Sequence, residues 1–185
     1  MRLRFFSSKK IFALVGIVLG FLFWGCTPQK GVQEEVVPIA GAEWKALQEL
    51  HYSVLITNPD IPYSLEIITR HNNKYDYCTL PIACTIQNAF GWRTTDTLTL
   101  PLAQAPGRWD GSGIGIIQTS FSLEQSLFFP MCAMYDISIT PLPALLSPLI
   151  DKKRQKPAKP LQEQSIRGVE SIGISLKPTH LRSSR

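Results

Sequence analysis

Cys26 stands in a sequence context that favours a reaction of its thiol. Basic residues come first, then an uninterrupted apolar run over residues 11–24, and Gly25 separates that run from the cysteine. The basic residues are Arg2, Arg4, Lys9 and Lys10. A basic segment, a short apolar segment and a small residue at the cleavage point are the parts of a secretory signal peptide. Because a cysteine follows directly, we expect its thiol to be alkylated with diacylglycerol and the chain to be cut before Cys26.

The length of the apolar run distinguishes a signal peptide from a membrane-spanning helix. The run covers 14 residues, whereas a helix that crosses a bilayer needs about 20. Phe23 and Trp24 depart from the usual lipid-attachment pattern, which has an aliphatic residue three positions before the cysteine and a small residue two before it. An uncleaved membrane anchor, or ordinary signal cleavage nearby, is the alternative. The sequence thus predicts a signal peptide over residues 1–25 and lipid attachment at Cys26.

Most of the net positive charge belongs to the predicted signal peptide. The whole sequence has 19 lysine and arginine residues against 14 acidic residues. Residues 1–25 hold four of these basic residues and no acid, which leaves a mature chain of 15 basic and 14 acidic residues. A nearly neutral domain gives no support to nucleic-acid binding. The expected partner is a membrane, since diacyl and acyl chains on one cysteine suffice for stable attachment.

The other cysteines predict no metal site. With Cys26 acylated, an odd number is left, namely Cys78, Cys84 and Cys132. One disulfide with a free thiol, and three small buried hydrophobic side chains, both agree with this number. Cys78 and Cys84 are six residues apart, and no histidine stands at ligand spacing from either of them.

Residue types that serve in catalysis are present but dispersed. The histidines are His51, His71 and His180, and the aspartates outside the segment 142–163 are Asp60, Asp76, Asp96, Asp110 and Asp136. No serine lies in a G-x-S-x-G turn, and no pair of carboxylates has a spacing that indicates acid–base work. The glycine-rich segment 111–115 lacks the G-x-G-x-x-G pattern and precedes a predicted strand, so we expect a hairpin or bulge there. The sequence predicts neither an enzyme nor a cofactor.

Four aromatic residues allow two interpretations. They are Tyr75, Tyr77, Trp92 and Trp109. Exposed on one face of a sheet, they would form a platform for a glycan or peptide; buried, they would pack a core and its corners. Packing is favoured, because no polar partner for a sugar or peptide is evident nearby. Trp109, within a segment of turn residues, is expected to anchor that turn.

Short segments of alternating apolar and polar residues, separated by turn residues, predict strands. The segments are 51–57, 63–70, 75–86, 94–102, 114–122, 131–140 and 168–176. No long amphipathic helix is predicted; only 42–50 and 123–127 have weak helical character. About seven or eight short strands with this spacing indicate an all-β fold, an antiparallel β-sandwich behind the N-terminal signal and lipid-anchor segment. Arg70, at the end of one strand, is expected to pair with an acid across the sheet.

The expected organisation of the mature chain has three consecutive parts. Residues 26–43 are predicted to form an acylated tether, and residues 44–178 the β-sandwich domain. Within that domain, the basic, proline-rich stretch 142–163 is predicted to be an exposed loop. Residues 179–185 are predicted to be a disordered tail.

The order and spacing of several segments together resemble one known family. These segments are 62–65 (PYSL), 69–72 (TRHN), 75–80 (YDYCTL), 95–97 (TDT), 107–111 (GRWDG) and 166–174 (IRGVESIGI). From Cys26 to about Leu176, the chain resembles GldH, the gliding-motility lipoproteins of Bacteroidetes. Asp76 and Thr79 depart from the family, which tends to have proline and asparagine there, and the stretch 142–163 resembles an insertion.

The resemblance implies a lipoprotein of the cell envelope, attached to the outer or inner membrane through Cys26. It implies an accessory or assembly role in a gliding apparatus linked to type IX secretion, with other envelope proteins as partners. It implies no catalysis, no cofactor and no small-molecule substrate. The alternative function is a surface lipoprotein that binds glycan or peptide through Trp92, Trp109 and Tyr77. A hydrolase, as a third class, would need a polar pocket with at least two convergent titratable groups.

Overall fold

The computed structural model describes residues 32–105, 108–123, 125–143 and 164–179. All of them belong to one compact unit, Gly31–Arg185. The predicted signal peptide 1–25, the lipid site Cys26, most of the predicted loop 142–163 and most of the predicted tail 179–185 lie outside the described residues. The interpretations of these segments therefore stay predictions.

The described residues form twelve strands and a short 3₁₀ turn, Ala40–Ala42. One four-stranded sheet has the spatial order β1 (Gln33–Pro38), β12 (Val169–Pro178), β4 (Tyr63–Asn72) and β9 (Ile116–Ser122). The other has the order β3 (Leu50–Ile56), β10 (Ala133–Pro141), β5 (Thr79–Asn88) and β6 (Arg93–Pro101). Two short pairs are formed by β2 (Glu43–Lys45) with β11 (Ser165–Arg167), and by β7 (Ala103–Ala105) with β8 (Arg108–Trp109).

The two large sheets face each other across one core, and every strand pair in the described residues is antiparallel. The buried hydroxyl of Tyr52 in β3 donates a hydrogen bond of 2.9 Å to the carbonyl oxygen of Ile172 in β12, and so joins the sheets through the core. Burial raises the pKa of this phenol, because the ionised form would lose its hydration. The predicted all-β antiparallel sandwich is confirmed.

Alternating burial explains why these segments become strands. In β3, every second residue from Leu50 to Ile56 is buried and the residues between are exposed. Residues of a strand point to opposite faces in turn, so this pattern places one face on a core and the other in solvent. β12 is different: residues 171–176 are all buried, because the strand is central and Val36 of β1 covers Gly173 from outside.

The predicted strand segments correspond to β3, β4, β5, β6, β9, β10 and β12. The segment 75–86 was placed too early, since residues 73–78 form a loop and β5 begins only at Thr79. The weak helical character over residues 42–50 does not give an α-helix, because residues 43–45 pair with β11.

One strand lies in the segment predicted to be a tether. β1 pairs along its whole length with β12, from Gln33 opposite Leu176 to Pro38 opposite Ser171. The next residue, Ile39, is 4% exposed and belongs to the core. The predicted tether 26–43 is therefore corrected: from Gln33 onward the chain belongs to the sandwich, which begins before Trp44. Its polar sequence fits an edge strand with mostly exposed side chains.

β1 also closes one lateral edge of the sandwich. The Gln33 side-chain amide donates to the carbonyl oxygen of Leu55 and accepts from the Leu55 N–H, both at 2.8 Å. The Ser53 N–H donates to the Glu35 carboxylate at 3.4 Å. These hydrogen bonds satisfy backbone N–H and C=O groups on the free edge of β3. Without them, that edge would be open to pairing with another chain.

The sandwich has two distinct ends. The proximal end is where β1 begins and β12 finishes, and it also carries residues 57–62, 89–92 and 123–132, of which Glu124 is not described. The distal end carries residues 73–78, the β7–β8 pair, residues 110–115 and the β2–β11 pair. The N–H of Thr179 donates to the carbonyl oxygen of Pro62 at 2.8 Å, so both ends of the described chain lie at the proximal end.

Gly168 makes the sharp connection between β11 and β12 at the distal end. Its φ is +89°, its N–H donates to the carbonyl oxygen of Ala42 at 2.7 Å, and its own carbonyl accepts from the Asn72 N–H at 2.8 Å. A Cβ at this position would lie 2.8 Å from the Cα of Tyr75, closer than van der Waals contact permits. Only glycine satisfies both the backbone conformation and the space.

We expect Gly168→Ala to lower the free energy of unfolding by more than the roughly 1–2 kcal/mol that a positive φ alone costs an alanine. Gly91→Ala is the matched control, since Gly91 has the same φ of +89° and nothing within 4 Å of an added Cβ. Urea unfolding of both variants measures the difference. Equal losses would contradict the close packing of Gly168 on the loop that carries Tyr75.

Candidate functional site

Four rings meet at the distal end of the sandwich. The centroid of His71 lies 4.5 Å from that of Trp109 and 5.5 Å from that of Tyr75. Tyr75 lies 5.6 Å from Tyr77, and their planes are at 67°. All these pairs are tilted or edge-to-face, as rings packed into a core arrange themselves. We call these four residues the distal ring cluster.

Separate elements bring the members of the cluster together. His71 is near the end of β4, and its side chain points inward as the alternation of that strand requires. The chain then turns: the Lys74 N–H donates to the Asn72 side-chain oxygen at 2.8 Å, and the Tyr75 N–H donates to the Asn72 carbonyl at 3.1 Å. An asparagine that bonds the backbone two residues onward stabilises such a turn. This turn places Tyr75 beside His71.

The β7–β8 pair supplies Trp109. This strand pair is fixed to the loop before β5, because the Ala103 N–H donates to the Cys78 carbonyl at 3.0 Å. The Asp110 N–H donates to the Leu102 carbonyl at 2.8 Å, and the Thr119 hydroxyl donates to the Asp110 carbonyl. The position of Trp109 is thus fixed by its own pairing with Ala103 and by the hydrogen bonds of the next residue, Asp110. The expectation that it anchors a turn agrees with this position.

The glycine-rich segment continues from Trp109 as a closed loop beside β9. The N–H of Ser112 donates to the Gln118 carbonyl at 3.2 Å, and the N–H of Gln118 donates to the Ser112 carbonyl at 2.9 Å. Gly113 has a φ of +145° and passes so close to Ile116 that a side chain has no room. The segment 111–115 therefore forms a hairpin, as predicted. Its bridge from Ser112 to Gln118 covers part of the edge of β9.

His71 is a buried histidine kept neutral by its surroundings. Its side chain is 0% exposed, Nε2 has no hydrogen-bond partner, and Nδ1 lies 3.4 Å from the Asn72 carbonyl oxygen. Burial lowers the pKa of the imidazole, although the Asn72 carbonyl acts weakly in the opposite direction. Its neighbour Tyr75 donates its hydroxyl hydrogen to the Thr79 carbonyl at 2.7 Å, and burial raises the pKa of that phenol.

The aromatic residues singled out in the sequence do not form one platform. Trp92 belongs to a second group at the proximal end, where its centroid lies 5.6 Å from that of Tyr135 and 6.2 Å from that of Phe129. Trp109 and Tyr77 belong to the distal ring cluster. Both groups pack against the core with interplanar angles between 46° and 84°. The packing interpretation is supported, and a flat sugar-binding surface is not.

A histidine–aspartate pair that the sequence did not indicate lies on the outer face of the second sheet. His51 Nδ1 is 3.2 Å from Asp136 Oδ2, because β3 and β10 place Ser53 opposite Asp136 and His51 two residues along the same face. His51 Nε2, which would have to accept a proton from a nucleophile, faces the Glu49 carboxylate at 3.6 Å. The His51 side chain is 55% exposed. Within the described residues, no hydrogen bond joins the His51 ring to a serine hydroxyl, and the imidazole is open to water.

The remaining candidate residues from the sequence are the three cysteines and Arg70. Cys78, Cys84 and Cys132 are free thiols, and burial raises the pKa of Cys84 to about 12, with Asp96 contributing. The expected ion pair of Arg70 is wrong: its Nε donates to the neutral side-chain oxygen of Gln118 at 2.9 Å. Across the described residues, no group of histidine, cysteine and acidic side chains is arranged to hold a metal ion.

Residues 31–142 match the family of GldH lipoproteins. The chain belongs to the GldH lipoprotein family. The matched residues make up more than half of the chain and run from the start of the sandwich to the end of β10. No curated protein matches the chain significantly. A lipoprotein family indicates a membrane-anchored protein of the cell envelope, and within the described ranges no helix is both long and apolar enough to cross a membrane.

Several of the GldH-like segments converge on the distal ring cluster. Segments 69–72, 75–80 and 107–111 supply its four rings, although they are far apart in the sequence. The closing segment 166–174 lies beyond the matched residues, yet it reaches the same place, because the Asn72 side chain donates to the Glu170 carboxylate. Segments 62–65 and 95–97 lie elsewhere, at the start of β4 and in β6.

We expect the stability of the protein to decrease as the pH is lowered from 7.5 to 5. The pKa of His71 is lowered in the folded protein, whereas a histidine in the unfolded chain has a pKa near 6.5. As the pH falls, the unfolded chain therefore binds a proton before the folded protein does. The stabilisation by neutral His71 is complete above that pH and is lost as the pH falls through the lower pKa of the folded state. Thermal unfolding across this range measures it.

His71→Phe should retain the ring packing and reduce this pH dependence. His51→Ala is the matched control and should leave it in place, because His51 is an exposed residue on the other sheet. If His71→Phe and the unmodified protein lose stability in parallel as the pH falls, His71 is not the residue responsible.

Proposed function

We propose that this protein is a non-catalytic envelope lipoprotein, anchored through Cys26, that serves as an accessory or assembly component of the gliding-motility apparatus linked to type IX secretion. Membership of the GldH family supports the proposal. The observation that carries the non-catalytic part is the distal ring cluster. There, the family-like segments meet to pack against one another, and the imidazole of His71 is buried between the rings of Tyr75 and Trp109.

The position of the cluster favours a docking role. It stabilises the distal end, which also presents exposed apolar side chains such as Leu47 (61% exposed) and Ile114 (102% exposed). Gln33, the first residue of β1, enters at the opposite, proximal end. An anchored protein built in this way would present its distal end to other envelope components, with the cluster as the rigid base of that surface.

The proposed organisation follows from the sequence and from the start of β1. Residues 1–25 are the signal peptide, Cys26 carries the lipid, and residues 27–32 are a short link to the sandwich. The basic segment 142–163 leaves the sandwich after β10, which finishes at the distal end, and returns at β11. Both of its described attachment points, Pro141 of β10 and Ser165 of β11, are at the distal end.

Metabolic labelling with palmitate tests the anchor. The protein should incorporate the label, and Cys26→Ala should lose all of it, since the thiol is the proposed acceptor of the lipid. Cys132→Ala is the matched control, because Cys132 is an exposed thiol that can react but is not a proposed lipid site. Undiminished labelling of Cys26→Ala would contradict the anchor.

A deletion strain tests the proposed role in gliding or secretion. Loss of the gene should impair gliding, or secretion in an organism that does not glide. The unmodified gene and Cys132→Ala should restore it, and Cys26→Ala should not. Normal motility together with normal secretion in the deletion strain would contradict the proposed function.

A further inference from the structure

The proximal end carries an exposed apolar surface. It consists of Leu55 (48% exposed), Phe90 (74%), Phe128 (66%), Met131 (38%) and Met134 (57%). We call these five residues the proximal rim. Single exposed apolar residues are ordinary, but several at one end of a domain mark a surface that binds something.

The rim is one surface because the strand pairing and the proximal rings hold its members together. Met134 of β10 is the pairing partner of Leu55 of β3. Phe128 and Met131 flank the buried Phe129, whose centroid lies 4.7 Å from that of Tyr135, and the Tyr135 hydroxyl donates to the Met131 carbonyl at 3.1 Å. The loop is therefore fastened to the core directly beneath its exposed side chains.

Phe90 is presented by a structured turn. The side-chain oxygen of Asn88 accepts hydrogen bonds from the N–H groups of Phe90 and Trp92, at 3.0 and 3.1 Å. The indole of Trp92 packs on Phe129 below, while Phe90 is directed away from the core. Holding a large apolar ring in water by such a turn is unfavourable unless the ring has a partner.

The chain enters the sandwich beside this surface. The side chain of Gln33 makes two hydrogen bonds with the backbone of Leu55, a member of the rim. Cys26 precedes Gln33 by seven residues, and seven residues span at most about 25 Å when fully extended. A bilayer that holds the lipid of Cys26 is thus within reach of the proximal end, whereas the ten residues of β4 place the distal end roughly 33 Å farther along the strand.

We propose that the proximal rim rests on the lipid bilayer, with Phe90 and Phe128 in its interfacial region. This proposal rests on the lipid anchor of the proposed function and adds how the sandwich is oriented. An apolar surface held near a bilayer enters the interface to a depth of about 5–10 Å. Asp60, Arg93 and Glu124 are the charged residues that the sequence places in segments 57–62, 89–93 and 123–134. Lys177, near the end of β12, lies at the same end and is paired with the Glu66 carboxylate at 2.9 Å, so these segments bring few charges to the interface.

A lipid surface fits this end better than a protein partner does. The anchor confines the rim near the bilayer, so the area beside it is already occupied by lipid. The contact needs no shape complementarity, so it can be made by side chains that come from two loops and from two paired strands. A protein bound to the same residues is the alternative, and the experiment separates the two.

Fluorescence of a label on Cys132, an exposed thiol within the proximal loop, tests the orientation. The lipidated full-length mature protein with Cys78→Ser is labelled with an environment-sensitive fluorophore and reconstituted into vesicles of phosphatidylethanolamine and phosphatidylglycerol. Buried Cys84, with its raised pKa, should not react. We expect a blue-shifted emission and a loss of intensity when part of the lipid carries a nitroxide quencher.

The matched control moves the label to the distal end, in Ile114→Cys combined with Cys78→Ser and Cys132→Ser. Its emission should be that of a label in water, unchanged by the quencher. Phe90→Asp together with Phe128→Asp should return the Cys132 label toward the emission in water, and these exposed positions allow folding. Leu47→Asp, a charge added at the distal end, should leave the Cys132 label quenched.

Flotation of the same vesicles separates the two proposals. Protein that floats with the vesicles but has an unquenched Cys132 label would overturn the rim proposal and leave the anchor intact. Equal quenching at Cys132 and Ile114→Cys would overturn it as well. Unmodified protein that does not float would contradict the anchor, and the rim proposal with it.

Discussion

The insertion of β12 between β1 and β4 is the constraint on which the rest of the structure depends. Residues 171–176 of this strand are buried on both faces, and its pairing with β4 runs from Val169 to Pro178. Without it, the first sheet would be separated into β1 alone and the β4–β9 pair, and Ile172 could not accept the hydrogen bond that joins the sheets. A strand from the far end of the sequence therefore completes a sheet that begins with the first described strand.

This insertion also gives the sandwich its polarity. Because β1 and β12 are antiparallel neighbours, the start of one and the finish of the other lie at the proximal end. The same geometry places the start of β12 at the distal end, where Gly168 and Glu170 fasten the turn that carries Tyr75. The packed distal ring cluster and the exposed proximal rim are thus fixed at opposite ends by one strand pairing, and both proposed contacts of the protein follow from it.

Local alternation of apolar and polar residues was enough to predict seven strands and the fold class, because apolar residues at every second position place one face of a strand on a core. β1 could not be predicted, because an edge strand with exposed side chains has the same polar composition as a flexible link. Only the pairing with β12 identifies it as a strand. The distal ring cluster could not be predicted either. His71 and Trp109 are far apart in sequence, and the short β7–β8 pair that carries Trp109 has no alternation to detect. The Arg70–Gln118 and His51–Asp136 contacts likewise depend on strand register.

We propose that the proximal end faces lipid and that the distal end faces other proteins of the envelope. A photo-crosslinking amino acid introduced in living cells at Phe90 or at Ile114 tests it most directly, because both side chains are exposed and each marks one end. We expect the Ile114 position to crosslink to envelope proteins and the Phe90 position to crosslink to lipid. Protein crosslinks at Phe90 with none at Ile114 would contradict it.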